Sequence, residues 1–512
     1  MDQRDRPEID SFYHLSSAGI AGRTCQGAAC FVARHLNPSR WQESAAQVPR
    51  LYCLGKCYAA PAAADEVQRP VIEVRCRQGI VLNRIVAGGA RTFEAYVRQG
   101  GYQALGKALG QPEEELLRAM EISGLRGLGG AGFPAGKKWR SVREARASRK
   151  FVVANFDEGD PGAYIDRFLV EDDPHSLIEA MAIAAYGVGA REGFIYVRNE
   201  YPEAEAILRA ALAEARRERV LGQRVLHRNF SFDIEIHVGR GSYVCGEETA
   251  LLNSIEGKRP EVRARPPFPS QHGLLGLPTL IHNVETLANV PWIIQHGGEQ
   301  FQRLGFSRSR GNKVVSLNSL FARPGLYEVE FGVPVRHIVE ELGGGLKTGI
   351  LKGAIIGGPL AGIVPPRLLD TPFGFEELHA IHASVGHGGI IAFDEHTSIP
   401  ELVHHVFAFA ADESCGKCTP CRLGSRRVEQ IFQRLLDQRP GSPALAAEWT
   451  DILTALRLTS LSALAPAWLS SLKQPAYITP RSWNHVSRND QRAARQASGG
   501  RSDSRCAARR RC

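Results

Sequence analysis

Seven of the eleven cysteines stand in two tight groups. Cys25-x4-Cys30 is followed by Cys53-x3-Cys57, and Cys415, Cys418 and Cys421 repeat as C-x2-C-x2-C. Thiolates are soft ligands that iron–sulfur clusters and zinc select. Three cysteines at the second spacing cannot all face one side of a regular helix, whereas a looped backbone wraps them about one centre. Gly416 and Pro420 favour such a loop, and the close spacing points to an iron–sulfur cluster. Two pairs of thiolates suit a 2Fe-2S cluster. Zinc, which takes pairs separated by a longer span, stays as the alternative. Cys76 and Cys245 stand alone, and Cys245, in an apolar YVC, reads as a small core residue.

Three further segments carry chemistry. Gly124–Gly136 holds six glycines, among them Gly127, Gly129, Gly130 and Gly132, and Lys137 and Lys138 follow. Glycine lets backbone N–H groups approach a phosphate or a flat ring with no Cβ in the way. The loop is neither a Walker P-loop nor a dinucleotide GxGxxG after a strand, and a tight surface loop explains it equally well. The second segment, NFDEGDPGAYIDR, gathers Asn155, Asp157, Glu158 and Asp160 at the end of a strand-like run. That is where α/β sheets bind ligands, and such groups suit sugar hydroxyls. In the third, GRGSYVCGEETALLNSIEGKRP, Glu247 and Glu248 open a helical run. Acids there stabilise the helix by ~0.3–1 kcal/mol through its dipole, or line a cofactor ring.

The elements that must position these residues follow from periodicity. KFVVANF, GFIYVRN and FDIEIHVG read as buried strands, and SLIEAMAIAAYGVGA and EAEAILRAALAEARRERVLG as helices. This alternation predicts a parallel sheet in an α/β layer. KVVSLNS, GLYEVEFG and VRHIVEELGG predict a small α+β unit, and from Ile399 the pattern is helical, broken by SCGKCTPC. AAPAAADEVQRP reads as a linker.

The chain of 512 residues has room for several domains and needs no disulfide staples. Of its formal charge of +9, the segment from Leu461 onward contributes +8, from nine Arg and one Lys against Asp490 and Asp503. The basic character belongs to the tail, so no nucleic-acid partner is expected for the body. The charged start MDQRDRPEID lacks a secretory apolar run, and no uncharged apolar stretch reaches ~18 residues. A cytoplasmic protein without a membrane span is expected. No Ser-His-Asp, H-E-x-x-H or Walker pattern directs the reading to hydrolysis.

GLRGLGGAGFPAGKKW, NFDEGDPGAYIDR, SYVCGEETALLNSIEGKRP, RPPFPSQHGLLGLPTLIHNVETLANVP and ESCGKCTPCR together resemble one family. It is that of the NADH-binding FMN flavoprotein subunit of respiratory complex I and of the diaphorase subunits of NAD-linked formate dehydrogenases and NAD-reducing hydrogenases. The resemblance spans about residues 85–460. DEGDPG, EDDPHSLIEAMAIAAYGVGA and the fused four-Cys segment resemble the formate dehydrogenase and hydrogenase branch, and CLGKCYAAP is similar to the second Cys pair of the thioredoxin-like 2Fe-2S ferredoxin.

The resemblance implies a multidomain α/β protein. A partial thioredoxin-like 2Fe-2S segment would span 1–75, a Rossmann-like FMN/NADH domain 85–310, a ubiquitin-like (β-grasp) soluble-ligand-binding domain 311–395 and a helical 4Fe-4S domain 396–470; the aperiodic, Arg-rich composition of 471–512 reads by itself as a disordered basic tail. It implies hydride exchange between NAD(H) and FMN, with electrons passing to a 4Fe-4S cluster on Cys415, Cys418 and Cys421 and a 2Fe-2S cluster on Cys25, Cys30, Cys53 and Cys57. By the same resemblance, Gly127, Gly129, Gly130 and Gly132 line FMN and NADH, and Lys138 contacts FMN. Phe133 and Phe268 stack on the dinucleotide. Asn155, Asp157 and Glu158 bind flavin, with Asp160 where the complex I pattern often has Glu. Tyr243, Gly246, Glu247 and Glu248 form the flavin and nicotinamide wall. Asn283 contacts FMN, and His282 replaces a common Asn beside it.

The partners implied are ferredoxin-like and catalytic subunits of a multisubunit dehydrogenase or hydrogenase. The family's fourth 4Fe-4S ligand comes from a later S-L-C-G-type segment, where this chain reads Thr459-Ser460-Leu461-Ser462. Serine is a poor ligand beside thiolate, which raises a second expectation, an impaired assembly component. The Arg-rich run beyond it reads as a shifted reading frame or a truncated gene.

Overall fold

The computed structural model describes residues 20–47, 50–359, 361–437, 448–449, 451–452, 454–455 and 460–461. Ser462, Cys506, Cys512 and the basic tail lie outside these residues, and so does the start of the chain. The strands of the described residues are, in chain order, β1 (Val71–Val74), β2 (Phe151–Phe156), β3 (Glu192–Val197), β4 (Asp233–Val238), β5 (Thr279–Asn283), β6 (Gly305–Phe306), β7 (Ser309–Arg310), β8 (Asn312–Leu317), β9 (Gly325–Glu330), β10 (Leu351–Ile356), β11 (Gly362–Val364) and β12 (Gly389–Asp394). They form a four-stranded sheet, a six-stranded sheet and the short β6–β7 hairpin.

The first sheet is all parallel, in the order β4-β3-β2-β5. FVVANF is a near-continuous apolar run because both of its faces are covered. Val152, Ala154 and Phe156 join the main core, where the helix Pro174–Val188 crosses the sheet. Phe151 and Val153 pack on the opposite side with Tyr196, Cys245, Leu251, Leu252, Leu274 and Ile281. The covering helix is buried all round except at Tyr186, as a helix without a polar face must be. Pro174 starts it and Gly189, at φ +80°, ends it.

Chain order runs outward from β2 to β3 and β4, then returns to place β5 on the other side of β2. The ends of β2 and β5 therefore sit at a topological switch point, where open α/β sheets leave a crevice.

The second sheet has the order β1-β9-β8-β12-β10-β11. β8 and β9 form an antiparallel pair, a helical turn at His337–Leu342 follows, and β12 returns parallel to β8. This is the β-grasp arrangement, with an extra strand at one edge. That strand, β1, pairs in parallel with β9 and comes from the segment expected to close the N-terminal unit at residue 75. The expected linker is also structured, since Ala60, Ala62 and Ala63 are buried. Small alanines let this stretch lie against the cysteine loops, so its composition marks close packing rather than freedom.

The helices Ile399–Asp412 and Thr419–Leu436 pack on each other, and their connection carries Cys415 and Cys418. Cys421 lies in the first turn of the second helix, so the three thiols straddle a loop and a helix start instead of occupying a loop alone. The N-terminal segment contributes the helices Ala28–Val32 and Pro38–Ala46. Among its described residues up to Pro70 it adds no strand to a sheet, and its β contact there is the isolated bridge Thr24–Ala63. It docks on the C-terminal helices: Phe31 stacks on His405 at 4.4 Å, Arg34 pairs with Glu401 at 2.6 Å, and the Tyr52 hydroxyl donates to Asp412 at 2.6 Å. Among the described residues no helix is long and apolar enough to cross a membrane.

Candidate functional site: a crevice between two sheets and two groups of thiols

A crevice of about 590 Å³ opens at the carboxyl ends of β2 and β5, within the range of small-molecule and cofactor sites. The Gly-rich loop, the turns after β2 and before the helix Glu248–Ile255, and two loops of the β-grasp sheet wall it in. Gly129, Gly130, Phe133, Lys138, Asn155, Asp157, Glu158, Asp160, Tyr243, Gly246, Glu247, Glu248, Phe268 and Asn283 all line it.

Gly127 and Gly132 sit behind the wall. The Gly132 N–H donates to Gly127 O at 3.1 Å, and the Gly127 N–H to Phe133 O at 2.9 Å, so the two glycines close the loop on itself. Gly130, at φ +121°, faces Gly386 with no side chain between them. A Cβ on Gly129 would stand 2.8 Å from the Asn283 side chain, so the loop reaches the end of β5 only with glycine there. His282 is not in the crevice. Its side chain points the other way along β5 and accepts from Trp139 Nε1 at 3.0 Å in the core, because alternate residues of a strand face opposite sides.

The polar groups divide into those with protein partners and those without. Asn155 Nδ2 donates to Gly246 O at 2.8 Å, which fixes the turn after β2 against the Glu247 turn. Lys138 Nζ meets the Glu248 carboxylate and donates to Ile281 O at 2.9 Å. Glu247 caps its helix by accepting from Thr249 N and Ala250 N, both at 3.0 Å, through one oxygen, while the other makes no hydrogen bond and pairs with Arg265 Nη1 at 3.5 Å. Asp157 Oδ2 likewise lacks a partner, and burial, against the pull of Arg198, raises its pKa well above the carboxylate range. Burial pushes Asp160 up to about 7. A buried acid left open in a crevice wall, as Asp157 is, fits a ligand with hydroxyl or N–H groups. Phe133 and Phe268 stand 53% and 54% exposed on the same crevice, as unpartnered flat faces do when a ring is to stack on them. A flavin nucleotide with a pyridine dinucleotide fits this set.

Glu158 lines the crevice, yet its carboxylate is engaged within the protein. It accepts from the backbone N–H groups of Ile165, Asp166 and Arg167 at 2.6, 2.9 and 3.1 Å. His387, which sequence reasoning missed, also reaches it at 2.9 Å. Burial alone would raise the Glu158 pKa, but His387 and these backbone donors hold it below the usual range.

Tyr243 ties the crevice to the helical domain. Its hydroxyl donates to Asp160 Oδ1 at 3.3 Å, its N–H to Glu413 Oε2 at 2.9 Å, and its ring lies 5.0 Å from Phe409. The next residue, Val244, packs in one cluster with Cys415. The turn Tyr243–Gly246 therefore has the crevice on one side and the C-x2-C-x2-C thiols on the other.

The N-terminal thiols converge on the opposite side of the crevice floor. Cys25, Cys30, Cys53 and Cys57 are all buried. Each sulfur accepts a backbone N–H, from Gly27 at 3.3 Å, Ala62 at 3.4 Å, Gly55 at 3.4 Å and Gly162 at 3.3 Å respectively. Cys25 shares a hydrogen bond with Cys30 and Cys53 with Cys57, so the four form two pairs. Cys53 Sγ also lies 3.9 Å from Asp160 O. Arg198 donates to Cys53 O at 3.0 Å and to Glu158 O, while pairing with Glu200 at 2.7 Å.

One tetrahedral zinc would hold its thiolate sulfurs about 3.8 Å apart. Among the described residues the ligand atoms that lie in threes within 4.8 Å are those of Glu158, Asp166 and His387, with no trio of cysteines.

Comparison with known proteins agrees with this geometry. The Nuo51 FMN-binding domain matches residues 120–292, and the NADH-ubiquinone oxidoreductase-F iron–sulfur binding region matches 401–474. The second match runs through Ser462, so likeness to the family extends past the point where the sequence alone reads as foreign. The NADP-reducing hydrogenase subunit HndC of Solidesulfovibrio fructosivorans is 42% identical over 67% of this chain and 70% of its own length. The F 2 subunit of the NADH-quinone oxidoreductase of Rhizobium meliloti (strain 1021) is 41% identical over 70% and 85%. A chain of the air-oxidized NAD+-reducing [NiFe]-hydrogenase superposes with a TM-score of 0.77 at 28% identity, covering 93% of this chain and 87% of that one. With the crevice, the cysteine groups and these relatives in agreement, the chain belongs to the family of NADH-binding flavoprotein oxidoreductase subunits that carry FMN and a 4Fe-4S centre.

Proposed function

We propose that this chain is the diaphorase (beta) subunit of an NAD-dependent formate dehydrogenase, working with ferredoxin-like and catalytic subunits. The observation that carries the diaphorase reading is the position of the crevice between two separate groups of thiols. FMN, when bound, exchanges a hydride with NAD(H) and passes electrons on singly. The chain supplies orientation rather than an acid–base side chain.

The Gly129–Gly130 backbone and Lys138 would hold the flavin nucleotide, with Asn155, Asp157 and Asn283 taking its hydroxyl and N–H groups. Phe133 and Phe268 would stack the dinucleotide, and Glu247 and Glu248 would face its donors. The Tyr243–Gly246 turn leads from this crevice to Cys415, which supports electron exit to the 4Fe-4S site. Four N–H···S bonds in two pairs support a 2Fe-2S cluster on Cys25, Cys30, Cys53 and Cys57, since such bonds tune cluster potentials.

The formate assignment rests on the resemblance of DEGDPG, EDDPHSLIEAMAIAAYGVGA and the fused four-Cys segment to that branch. The alternatives are the diaphorase subunit of an NAD-reducing hydrogenase and the NADH-binding subunit of complex I. A second reading, an impaired assembly component, is favoured by Ser462 in place of the fourth cysteine.

Purified protein is expected to show flavin absorbance, NADH-dependent ferricyanide reduction and iron near six atoms per chain. A colourless protein that leaves NADH intact refutes the diaphorase reading. Iron near two selects the impaired component. Co-expression with candidate catalytic subunits is expected to give formate-dependent NAD+ reduction, and hydrogen-dependent reduction would move the chain to the hydrogenase branch.

A further inference from the structure

His387 lies on the loop into β12, between Gly386 at φ +52° and Gly388 at φ +94°. A Cβ on Gly388 would stand 2.5 Å from Val314 O and 2.9 Å from Ile165 Cδ1, so the loop presses directly onto the first sheet's domain. The imidazole Nε2 then stands 2.9 Å from Glu158 Oε1 and 3.2 Å from Asp166 Oδ2. Asp166 in turn receives the Asn283 side-chain amide and the Glu285 N–H. One ring from the second domain thus fastens the turn after β2, the helix that follows it and the end of β5. Burial alone would strip this ring of its proton, but Asp166 and Glu158 hold its pKa well above that of an ordinary histidine.

The three side chains are not equally open to the crevice. The His387 side chain is 10% exposed, against 0% for Glu158 and 1% for Asp166. A ligand in the crevice meets the imidazolium, with the two acids behind it. Close grouping of three ligand atoms also suggests a metal ion, but the carboxylates are already committed. Glu158 accepts three backbone N–H groups and Asp166 accepts two donors besides His387.

We propose that His387 is a positioning residue for the flavin, a fixed cation delivered by the β-grasp loop that locks Asn283 through Asp166 and favours the reduced, anionic form of the cofactor over the oxidised form. This rests on the reading of the crevice as an FMN site. A unit charge close to an ionising group shifts its equilibrium by tenfold to a thousandfold. The lower end applies here, because the two acids take up a proton once the ring is removed.

The test uses the full chain loaded with FMN, with a redox titration followed by flavin absorbance and FMN affinities measured by fluorescence. His387→Gln keeps hydrogen-bonding reach without charge. It is expected to lower the affinity ratio of reduced over oxidised FMN about tenfold, a downward shift of about 30 mV for a two-electron couple. His387→Lys restores the charge and is expected to stay within about threefold of the parent ratio. Asp166→Asn removes one acid and is expected to move the ratio the opposite way, and it carries the test alone if the Gln variant does not fold. Equal potentials in the parent, Gln and Asn proteins overturn the proposal and leave His387 a packing contact only. A lysine variant that falls as far as the glutamine variant overturns it too. One equivalent of a non-iron divalent ion, held by the parent and lost from the Gln variant, would make the cluster a metal site instead. Parent protein with no affinity for FMN sinks the flavin reading itself, and this proposal with it.

Discussion

Arg198 holds the N-terminal thiols against the crevice floor, and its removal is expected to separate the two. The guanidinium is buried, 5% exposed, and pairs with Glu200 at 2.7 Å while donating to Cys53 O and Glu158 O. Arg198→Met leaves Glu200, 7% exposed, without its cation and takes the donor from two carbonyl oxygens. Breaking a buried pair by deleting one partner costs roughly 3–5 kcal/mol. At about 1.4 kcal/mol per tenfold, local opening around Cys53 becomes at least a hundredfold more populated. A multidomain flavoprotein does not melt in one step, so the assay must be local. Hydrogen exchange at residues 53–57 and 158–162, with iron counted after a fixed exposure to chelator, reads the effect directly. The variant is expected to lose protection in both segments and about two iron atoms, while keeping its flavin. Glu200→Gln added to Arg198→Met is expected to recover part of the loss, since the uncompensated charge is then gone. Unchanged protection and iron in Arg198→Met would show that other contacts hold the segment in place and that the buried pair is incidental.

Other outcomes follow from the same geometry. Phe268→Ala, which removes an exposed ring from the crevice, is expected to raise KM for NADH about tenfold or less with little change in kcat, in keeping with ~0.5–1.5 kcal/mol for aromatic stacking; ferricyanide kinetics measure it. A Cβ on Gly386 would stand 1.9 Å from Gly357 O. Gly386→Ala is therefore expected to push two crevice loops apart, at about 1–3 kcal/mol, and to lower FMN retention on gel filtration. Burial raises Asp173 to about 6, against the pull of Arg84. The folded state then binds a proton that the unfolded chain has lost. The stabilisation this gives is full below about pH 4 and is lost as pH rises through about 6, amounting to roughly 3 kcal/mol. Hydrogen exchange of the helix Pro174–Val188, corrected for the intrinsic pH dependence of exchange and followed between pH 4 and 7, should show that slope in the parent and lose it in Asp173→Asn.

The sequence made the parallel sheet and the crevice wall readable because both depend on local signals. The buried run FVVANF, the glycines of Gly124–Gly136 and the GEE turn each announce themselves within a dozen residues. What escaped depends on contacts far apart in the chain. His387 meets Glu158 from 229 residues away, and a lone histidine in a glycine-flanked loop carries no spacing signal. Val71–Val74 reads as the close of the N-terminal segment because its partner, β9, lies some 250 residues further on. His282 was misplaced for a different reason. Family position suggested the crevice, but strand alternation turns neighbouring side chains to opposite faces, so His282 and Asn283 cannot both face it.

The floor of the crevice is a single loop, Asp157–Asp160, with the flavin-type wall on one face and Cys53 on the other. With the proposed cluster on Cys53 and its partners, this loop would be the septum between two redox centres. A substitution that retunes either compartment deforms the boundary of its neighbour. On that reading their potentials are not separate design variables, and an engineered shift in one centre has to be read out at both.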